Sequence, residues 1–142
     1  AVFGEKDFQQ LAVLKAMVRG LNLPIQILSA PTCRAVDGLA LSSRNQYLSR
    51  EQRQQAVTIY QVLQSIQQGL VSGFSSECLI EQAEAQLKSS GFDRVDYVAI
   101  RDPISLQPVM HLSEQGAVVL IAAWLGNTRL IDNQVVSTKQ QW

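Results

Sequence analysis

The longest apolar run of the chain, Ala117 to Leu125, is nine residues long and carries no charged side chain. A helix needs about 20 apolar residues to cross a bilayer, so this run is too short to span one. It has the length of a buried strand, and it is followed directly by Gly126 and Asn127, a two-residue hairpin signal with glycine first. We therefore predict a central strand at this run, with residues 128–132 returning beside it.

A further strand is indicated at residues 95–100, where the hydrophobic pattern changes to a period of two. Val95, Tyr97 and Ala99 alternate with the residues between them. Pro103 ends the pattern, because proline cannot donate to a strand ladder. The sequence therefore predicts a three-stranded antiparallel meander.

Two helices are predicted before this meander, and the first begins with a capping-box pattern. Ser49 stands as N-cap and Gln52 follows at the third helical position. The helix then runs to Gly73, which is expected to end it. Its inward face is predicted to consist of apolar residues at helical spacing: Ala56, Ile59, Tyr60, Leu63, Ile66 and Leu70.

The second helix is capped by Ser75 or Ser76 and is expected to end at Gly91. Its predicted inward residues are Leu79, Ile80, Ala83 and Leu87. Two helices and three antiparallel strands make a small α+β domain.

Residues 1–29 predict a strand end, a helix and a second strand, which is one βαβ unit of a parallel sheet. Asp7 is expected to accept from the backbone N–H of Gln10 as an N-cap, and Gly20 is expected to end the helix. The second strand is predicted at residues 25–28. The helix has apolar residues at helical spacing: Leu11, Leu14, Met17, Val18 and Leu21.

Composition excludes several functional classes. Twelve basic and twelve acidic residues cancel without any block of like charge, which argues against nucleic acid and against an anionic membrane surface as partners. Cys33 and Cys78 lie far apart, so we predict no disulfide framework and a reducing cytoplasm. With His111 as the only histidine, we predict no metal site made by protein side chains.

Residues 3–10 form the first cluster that could carry chemistry. Gly4 lets a ligand approach the backbone, and Lys6 lies at a helix N-terminus, where the dipole and free N–H groups favour anions. Such a cluster suits a phosphate and ribose site. The alternative is that Gly4 only makes a turn and that Lys6 and Asp7 are solvated.

Residues 37–45 form the second cluster. Ser42 and Ser43 are adjacent hydroxyls followed by Arg44, and together they can donate several hydrogen bonds to phosphate oxygens. The alternative is a serine-rich surface loop.

The two clusters, in this order and about one βαβ unit apart, closely resemble the pantothenate synthetase family. The resemblance extends to the capped helix after Leu48, to residues 96–102 and to the hairpin of residues 122–133. It implies a Rossmann-like fold related to the nucleotidylyltransferases. It also implies an ATP-dependent ligase of the coenzyme A pathway, which activates pantoate as pantoyl adenylate and then transfers it to β-alanine.

The resemblance implies roles for the matching residues of the first cluster. Gly4 would pass close to the nucleotide, Lys6 would contact the phosphates and Asp7 would bind the ribose hydroxyls. Gln10 would hold pantoate, and the backbone at Cys33 would meet adenine.

In the second cluster the resemblance implies a mobile phosphate-binding loop. Ser42, Ser43 and Arg44 would form it, with Leu41 beside the nucleotide. Together with Lys6 these three residues would be catalytic. ATP and Mg²⁺ are the implied cofactors.

The resemblance also divides the chain. Residues 1–30 would end the nucleotide-binding Rossmann-like domain, 31–48 would be the phosphate-binding loop and linker, 49–136 the C-terminal lid domain, and 137–142 a tail. Because the chain lacks an initiator Met and begins within an apparent strand, we expect the natural protein to begin upstream and this piece alone to be inactive.

The full-length enzyme would be a homodimer of the cytoplasm. Two alternatives stay open: a non-catalytic capping or interaction domain, and a related nucleotidyltransferase with another acid as substrate.

Overall fold

The structure, a computed structural model, describes residues 1–138, and the last four residues of the predicted tail lie outside the described part. The described elements form an α/β fold with one parallel and one antiparallel sheet, which confirms the predicted class. They are, in order, β1 (Val2–Gly4), α1 (Phe8–Gly20), β2 (Leu28–Ala30), a 3-10 helix (Ser43–Tyr47), α2 (Arg50–Ala56), α3 (Thr58–Val71), α4 (Ser76–Ser89), β3 (Arg94–Arg101), β4 (Ala117–Leu125) and β5 (Thr128–Val136).

The antiparallel sheet has the order β3-β4-β5, so the long apolar run is its central strand, as predicted. Gly126 has φ +58°, and Asn127 is not among the residues of positive φ, which fits a two-residue turn with glycine first. β5 continues to Val136, four residues beyond the predicted 132. The prediction stopped at Asp132 because a charged and an amide side chain interrupt the apolar pattern there. None of the helices in the described part is long and apolar enough to cross a membrane.

β3 confirms the predicted strand and contains a bulge that the alternation does not indicate. Val98 and Ile100 are buried, while Tyr97 and Ala99 are only partly buried. The register against β4 shifts between Val95 and Tyr97, and a bulge of this kind reverses which side of the alternation faces the core.

The capping box at Ser49 and Gln52 is confirmed, with both reciprocal hydrogen bonds formed at 3.1 and 2.9 Å. The single long helix predicted after it is wrong, because α2 and α3 are separated at Val57. Val57 keeps right-handed helical angles (φ −61°, ψ −23°), so the apolar period continues across the break and periodicity cannot detect it. The part of the chain between the linker and the antiparallel sheet therefore has three α-helices instead of two.

α3 and α4 cover one face of the antiparallel sheet. Leu63, Leu70 and Leu87 are almost completely buried and belong to one apolar cluster with Ile121 of β4. Ser75 is the N-cap of α4 and accepts from the Cys78 N–H. Each fully buried side chain of this size contributes about 1.5–3 kcal/mol, so this layer gives the chain its main core.

The N-terminal βαβ unit is present. β1 and β2 pair in parallel with Val2 opposite Leu28, and Asp7 caps α1 by accepting from the Gln10 N–H at 3.2 Å. The predicted second strand at residues 25–28 is wrong. The Leu28 N–H donates to Ala1 O at 2.9 Å, which sets the parallel register and places the ladder at Leu28–Ala30.

α1 ends at Gly20, but the left-handed residue that reverses the chain is Asn22, with φ +51°. Of α1, only Leu11 is buried, and Met17 keeps 45% of its surface exposed. The apolar face predicted for this helix is therefore largely uncovered within the described residues.

The linker of residues 31–48 was predicted without regular structure, and it contains the short 3-10 helix. Ser42 caps this helix, since its side chain accepts from the Arg44 N–H at 3.2 Å. A single tight turn has no apolar period, so only its capping serine could have indicated it.

The loop before this helix depends on Gly38, and its substitution gives a test of the packing. Gly38 has φ +98°, and a Cβ there would collide with the ring of Tyr60; Gly73 has φ +94° with nothing within 4 Å of its Cβ position. We expect Gly73→Ala to cost about 1–2 kcal/mol from the left-handed backbone alone.

Gly38→Ala should cost about 1–3 kcal/mol more, because overpacking adds to the backbone cost. Urea unfolding of both variants measures the difference. Equal losses of unfolding free energy would mean that Tyr60 does not hold this loop.

Candidate active site

Lys6 lies in the turn between β1 and α1 and is partly buried. Burial lowers the pKa of its ammonium below the usual 10.5. The negative charge of Asp132 acts in the opposite direction, the positive charge of Arg44 lowers the pKa further, and Asp7 raises it. Lys6 therefore shares one electrostatic environment with Arg44, a residue of the second cluster.

The other residues of the first cluster surround the start of α1. One carboxylate oxygen of Asp7 is engaged as the helix cap, which leaves its second oxygen for another donor. Gln10 is exposed on the first turn of α1. A Cβ added at Gly4 would meet nothing within 4 Å, so the backbone there is open to approach.

A short loop leads from the parallel sheet to the second cluster. The Cys33 carbonyl accepts from the Leu41 N–H at 2.9 Å, and Arg34 pairs with Ala40 as an isolated antiparallel bridge. The Cys33 and Leu41 side chains are both exposed. The loop thus doubles back on itself and delivers the chain to Ser42.

Ser42 uses its side-chain oxygen as acceptor for the 3-10 helix cap, while Ser43 is exposed. Arg44 is exposed and donates one hydrogen bond, from Nη1 to the carbonyl of Arg129 at 3.3 Å. It borders an open cavity of about 870 Å³ at the β4–β5 turn. The cavity is also lined by Tyr47, Gln52, Trp124, Leu125, Gly126, Asn127, Thr128 and Arg129.

Two neighbouring residues of β5 join these clusters, and sequence reasoning gave neither of them a role in the site. Asp132 receives a two-pronged ion pair from Arg34, at 2.6 and 2.9 Å. Asn133 donates through Nδ2 to the carbonyls of Glu5 and Lys6, at 2.6 and 2.8 Å. The signal that could have singled out the pair is two consecutive polar residues within an apolar strand.

Trp124 belongs to the run predicted as a central strand, and it is half-buried at the edge of the cavity. Its Nε1 donates to Asp96 at 2.9 Å, and the guanidinium of Arg94 lies 4.7 Å from the centre of its ring. Asp96 also accepts from Arg129 Nε at 2.9 Å. The last but one residue of the continuous apolar run therefore has a polar edge that needs a partner at the surface.

The described residues 1–138 contain no group of three or more His, Cys, Asp or Glu side chains that could hold a metal ion. They do bring together the half-buried ammonium of Lys6, the exposed guanidinium of Arg44, serine hydroxyls and the N-terminus of α1. Cations, hydroxyl groups and free helix amides are the groups that bind phosphorylated anions. The fold and these groups define an α/β protein with a cluster of groups whose chemistry suits an anion.

Comparison with known proteins identifies the family. The family model for pantoate-beta-alanine ligase matches residues 1–135, and the chain belongs to this family. The pantothenate synthetase of Pseudomonas putida strain GB-1 is 55% identical over 134 residues, which are 94% of this chain and 46% of that protein. The chain therefore spans about half the length of the curated relatives that it matches.

Solved structures agree with this assignment. A crystal structure of pantothenate synthetase from Thermus thermophilus has a TM-score of 0.89 and 41% identity, covering 96% of this chain and 49% of that one. A pantoate-beta-alanine ligase from Francisella tularensis, complexed with beta-gamma ATP and beta-alanine, has a TM-score of 0.65 and 29% identity, covering 94% and 42%.

The Asp96 cluster at the cavity edge predicts a pH dependence of stability. Hydrogen bonds from Trp124, then from Arg129, hold the pKa of Asp96 below its usual 3.8. The depressed pKa gives stability that is present above pH 3.8 and is lost as the pH falls through the lower, folded-state pKa.

We therefore expect Asp96→Asn to flatten the fall of the unfolding free energy below pH 3.8. Chemical denaturation from acid to near-neutral pH measures it, and Glu81→Gln on the exposed face of α4 controls for the loss of a carboxylate. If the unfolding free energy of Asp96→Asn fell with pH as steeply as that of the parent chain, the hydrogen-bonded state of Asp96 would be contradicted.

Proposed function

We propose that the chain is the C-terminal part of a ligase that uses ATP to join pantoate to β-alanine. The observation that carries the proposal is that one strand of a family-matched chain holds both cation-bearing segments: Asn133 of β5 donates to the Lys6 carbonyl at 2.8 Å, and Arg44 donates to the Arg129 carbonyl of β5 at 3.3 Å. Lys6 and Arg44 are far apart in the sequence, so only the fold brings them together. A site for a nucleoside triphosphate needs such convergent positive charge.

The uncovered apolar face of the βαβ unit supports placing this chain beside a further segment. Val2 and Leu28, one from each strand, are 67% and 49% exposed, and Met17 of α1 is 45% exposed. Parallel strands are normally buried on both faces. In the proposed division, residues 1–30 complete a larger nucleotide-binding sheet, 31–48 form the phosphate-binding loop and linker, and 49–136 form a lid.

The proposed reaction has two steps. In the first, a carboxylate oxygen of pantoate forms a bond to the α-phosphorus of ATP, and the bond to the leaving pyrophosphate breaks. In the second, the amine nitrogen of β-alanine forms a bond to the activated carbonyl carbon, AMP leaves with the bonding pair, and the nitrogen gives up one proton to solvent. A carboxylate nucleophile needs no general base, so positioning and charge neutralisation are the main demands of the first step.

The site residues divide this work. Lys6 and Arg44 stabilise the negative charge that moves onto the leaving pyrophosphate, and Ser43 is free to donate to a phosphate oxygen. Ser42 donates through its hydroxyl hydrogen while its oxygen caps the 3-10 helix. Preorganised groups of this kind act more strongly than water because they need no reorientation during the reaction.

Binding groups for the rest of the substrates are proposed around α1 and the following loop. The free oxygen of Asp7 would accept from the ribose hydroxyls, and the open backbone at Gly4 would lie along the nucleotide. The backbone at Cys33 would meet adenine beside Leu41. Gln10, exposed on the first turn of α1, would hold pantoate.

Mg²⁺, a homodimer and a cytoplasmic location remain predictions from the family resemblance. Mg²⁺ is commonly bound by one or two carboxylates together with substrate phosphates. The described part of the chain fits that arrangement better than a protein cage, because it gathers no set of three acidic, His or Cys ligands. When bound, the ion would supply further neutralisation of phosphate charge.

A hybrid ligase tests the proposal. In it, this chain replaces the matching segment of the Pseudomonas putida strain GB-1 relative, with which it shares 55% identity. We expect pyrophosphate release that depends on pantoate and AMP release that depends on β-alanine. Pyrophosphate release with a different acid would favour a related nucleotidyltransferase.

Ligand binding by the hybrid distinguishes the non-catalytic alternative. We expect the hybrid to bind ATP and pantoate in calorimetry. A hybrid that folds and binds neither ligand would favour a capping or interaction domain. We expect the isolated chain to release no pyrophosphate.

Removing either cation should weaken the first step strongly. We expect Lys6→Ala and Arg44→Ala in the hybrid each to lower the single-turnover rate of adenylate formation about 10²-fold or more, since each removes a preorganised charge stabiliser. Lys88→Ala, in the exposed last turn of α4, removes a cation away from the site and should leave the rate unchanged.

Ser42→Ala should cost less than Arg44→Ala, because a neutral hydrogen bond is weaker than a charge-assisted one. Rapid-quench measurement of pantoyl adenylate gives both rates. Near-normal adenylate formation in Lys6→Ala or Arg44→Ala would overturn the site assignment.

A further inference from the structure

Asp132 and Asn133 are the only adjacent pair of buried polar residues among the described positions, with 4% and 5% of their surfaces exposed. Burying such groups is costly unless their hydrogen bonds are satisfied. Both are satisfied by groups that are distant in sequence, and those groups belong to the two clusters of the proposed site or to the loop between them.

Asn133 fixes the backbone that carries Lys6. Its Nδ2 donates to the Glu5 and Lys6 carbonyls, at 2.6 and 2.8 Å, so both amide hydrogens are used. Consecutive carbonyls that share one donor group cannot rotate independently. The direction in which the Lys6 side chain leaves the backbone is thereby set by β5.

Asp132 fixes the other segment through Arg34. Besides the two contacts with Asp132, the Arg34 guanidinium donates to the carbonyls of Gly38 and Asn133, at 3.1 and 3.3 Å. Its central carbon lies 4.9 Å from the centre of the Tyr60 ring. The loop that delivers the chain to Ser42 and Arg44 is therefore closed around an arginine held by β5.

We infer that Asp132 and Asn133 are positioning residues that set the spacing between the Lys6 ammonium and the residue 42–44 loop. The inference rests on the proposed function, since it assigns these residues to its adenylate-forming step. A misplacement of about 1 Å costs on the order of 10²-fold in rate when reacting groups must be aligned. One dipeptide that holds both segments can maintain that alignment.

The charge of Asp132 adds a second effect. Five ionisable groups lie close together here. Lys6 is acted on by Asp132 from β5, by Arg44 from the 3-10 helix and by Asp7 at the α1 cap, and the Asp132 carboxylate is itself paired with Arg34. Burial lowers the pKa of Lys6, and Asp132 is the largest influence that raises it. Asp132 thus helps to keep Lys6 protonated, as binding a phosphate requires.

The first test separates positioning from stability with Asn133→Ala in the hybrid ligase. We expect adenylate formation to fall about 10-fold to 10²-fold, while the reaction of supplied pantoyl adenylate with β-alanine falls less than about threefold. Loss of folded protein would lower both steps equally. Gln134→Ala, the next residue of β5, removes a polar group that contacts Gln64 and should change neither step.

The second test uses pH. Asp132→Asn removes the charge and should move the alkaline limb of adenylate formation to lower pH, because Lys6 then loses its proton more easily. Asn133→Ala should leave that limb in place. An alkaline limb that is the same in Asp132→Asn and the parent would overturn the charge role.

The third test does not depend on activity. In the chain of residues 1–142, Asn133→Ala should increase amide hydrogen exchange over residues 4–10 and leave α3 unchanged. If the parent hybrid formed no adenylate, the proposed function would fail. This exchange experiment would still show whether Asn133 holds the backbone at Glu5 and Lys6. Unchanged exchange over residues 4–10, or adenylate formation close to that of the parent, would overturn the positioning role.

Discussion

Two adjacent polar side chains of β5 connect the small parallel sheet to the antiparallel sheet. Side chains alternate along a strand, so Asp132 lies on the side of Leu130 and Val136, while Asn133 lies on the opposite side under the Glu5–Lys6 turn. Each reaches a different segment of the proposed site. A strand built into a rigid three-stranded sheet is a better reference for these contacts than a loop, because its own position is fixed by its ladder with β4 and by the core below.

Local signals predicted most of the fold. The nine-residue apolar run, the glycine-first turn at Gly126 and the capping box at Ser49 each depend on neighbours in sequence, and each was correct. The errors share a cause. The break at Val57, the bulge after Val95 and the register of β2 are set by packing and pairing with distant segments, which leave no period in the chain.

The distinction between local signals and contacts with distant segments also applies to the candidate site. Lys6 and Arg44 could be selected from sequence because their two clusters, in this order and spacing, resemble the pantothenate synthetase family, and their residue types suit phosphate binding. Their shared electrostatic environment is consistent with that selection. Arg34 and Asn133 could not be selected, since their partners lie 98 and 127 residues away and their chemistry is that of ordinary buried polar residues.

The half-buried state of Lys6 explains why its neighbours matter. Burial strengthens the attraction of an ammonium for phosphate by excluding water, and the same burial favours the neutral amine. An exposed lysine would bind phosphate weakly, and without a carboxylate nearby the pKa of a buried lysine would be lowered further. Asp132 lies close enough to favour the charged form, yet its two oxygens are already occupied by Arg34. Because the Asp132 carboxylate is already paired with Arg34, the N–H donors of the Lys6 ammonium remain available for a ligand instead of forming a closed ion pair.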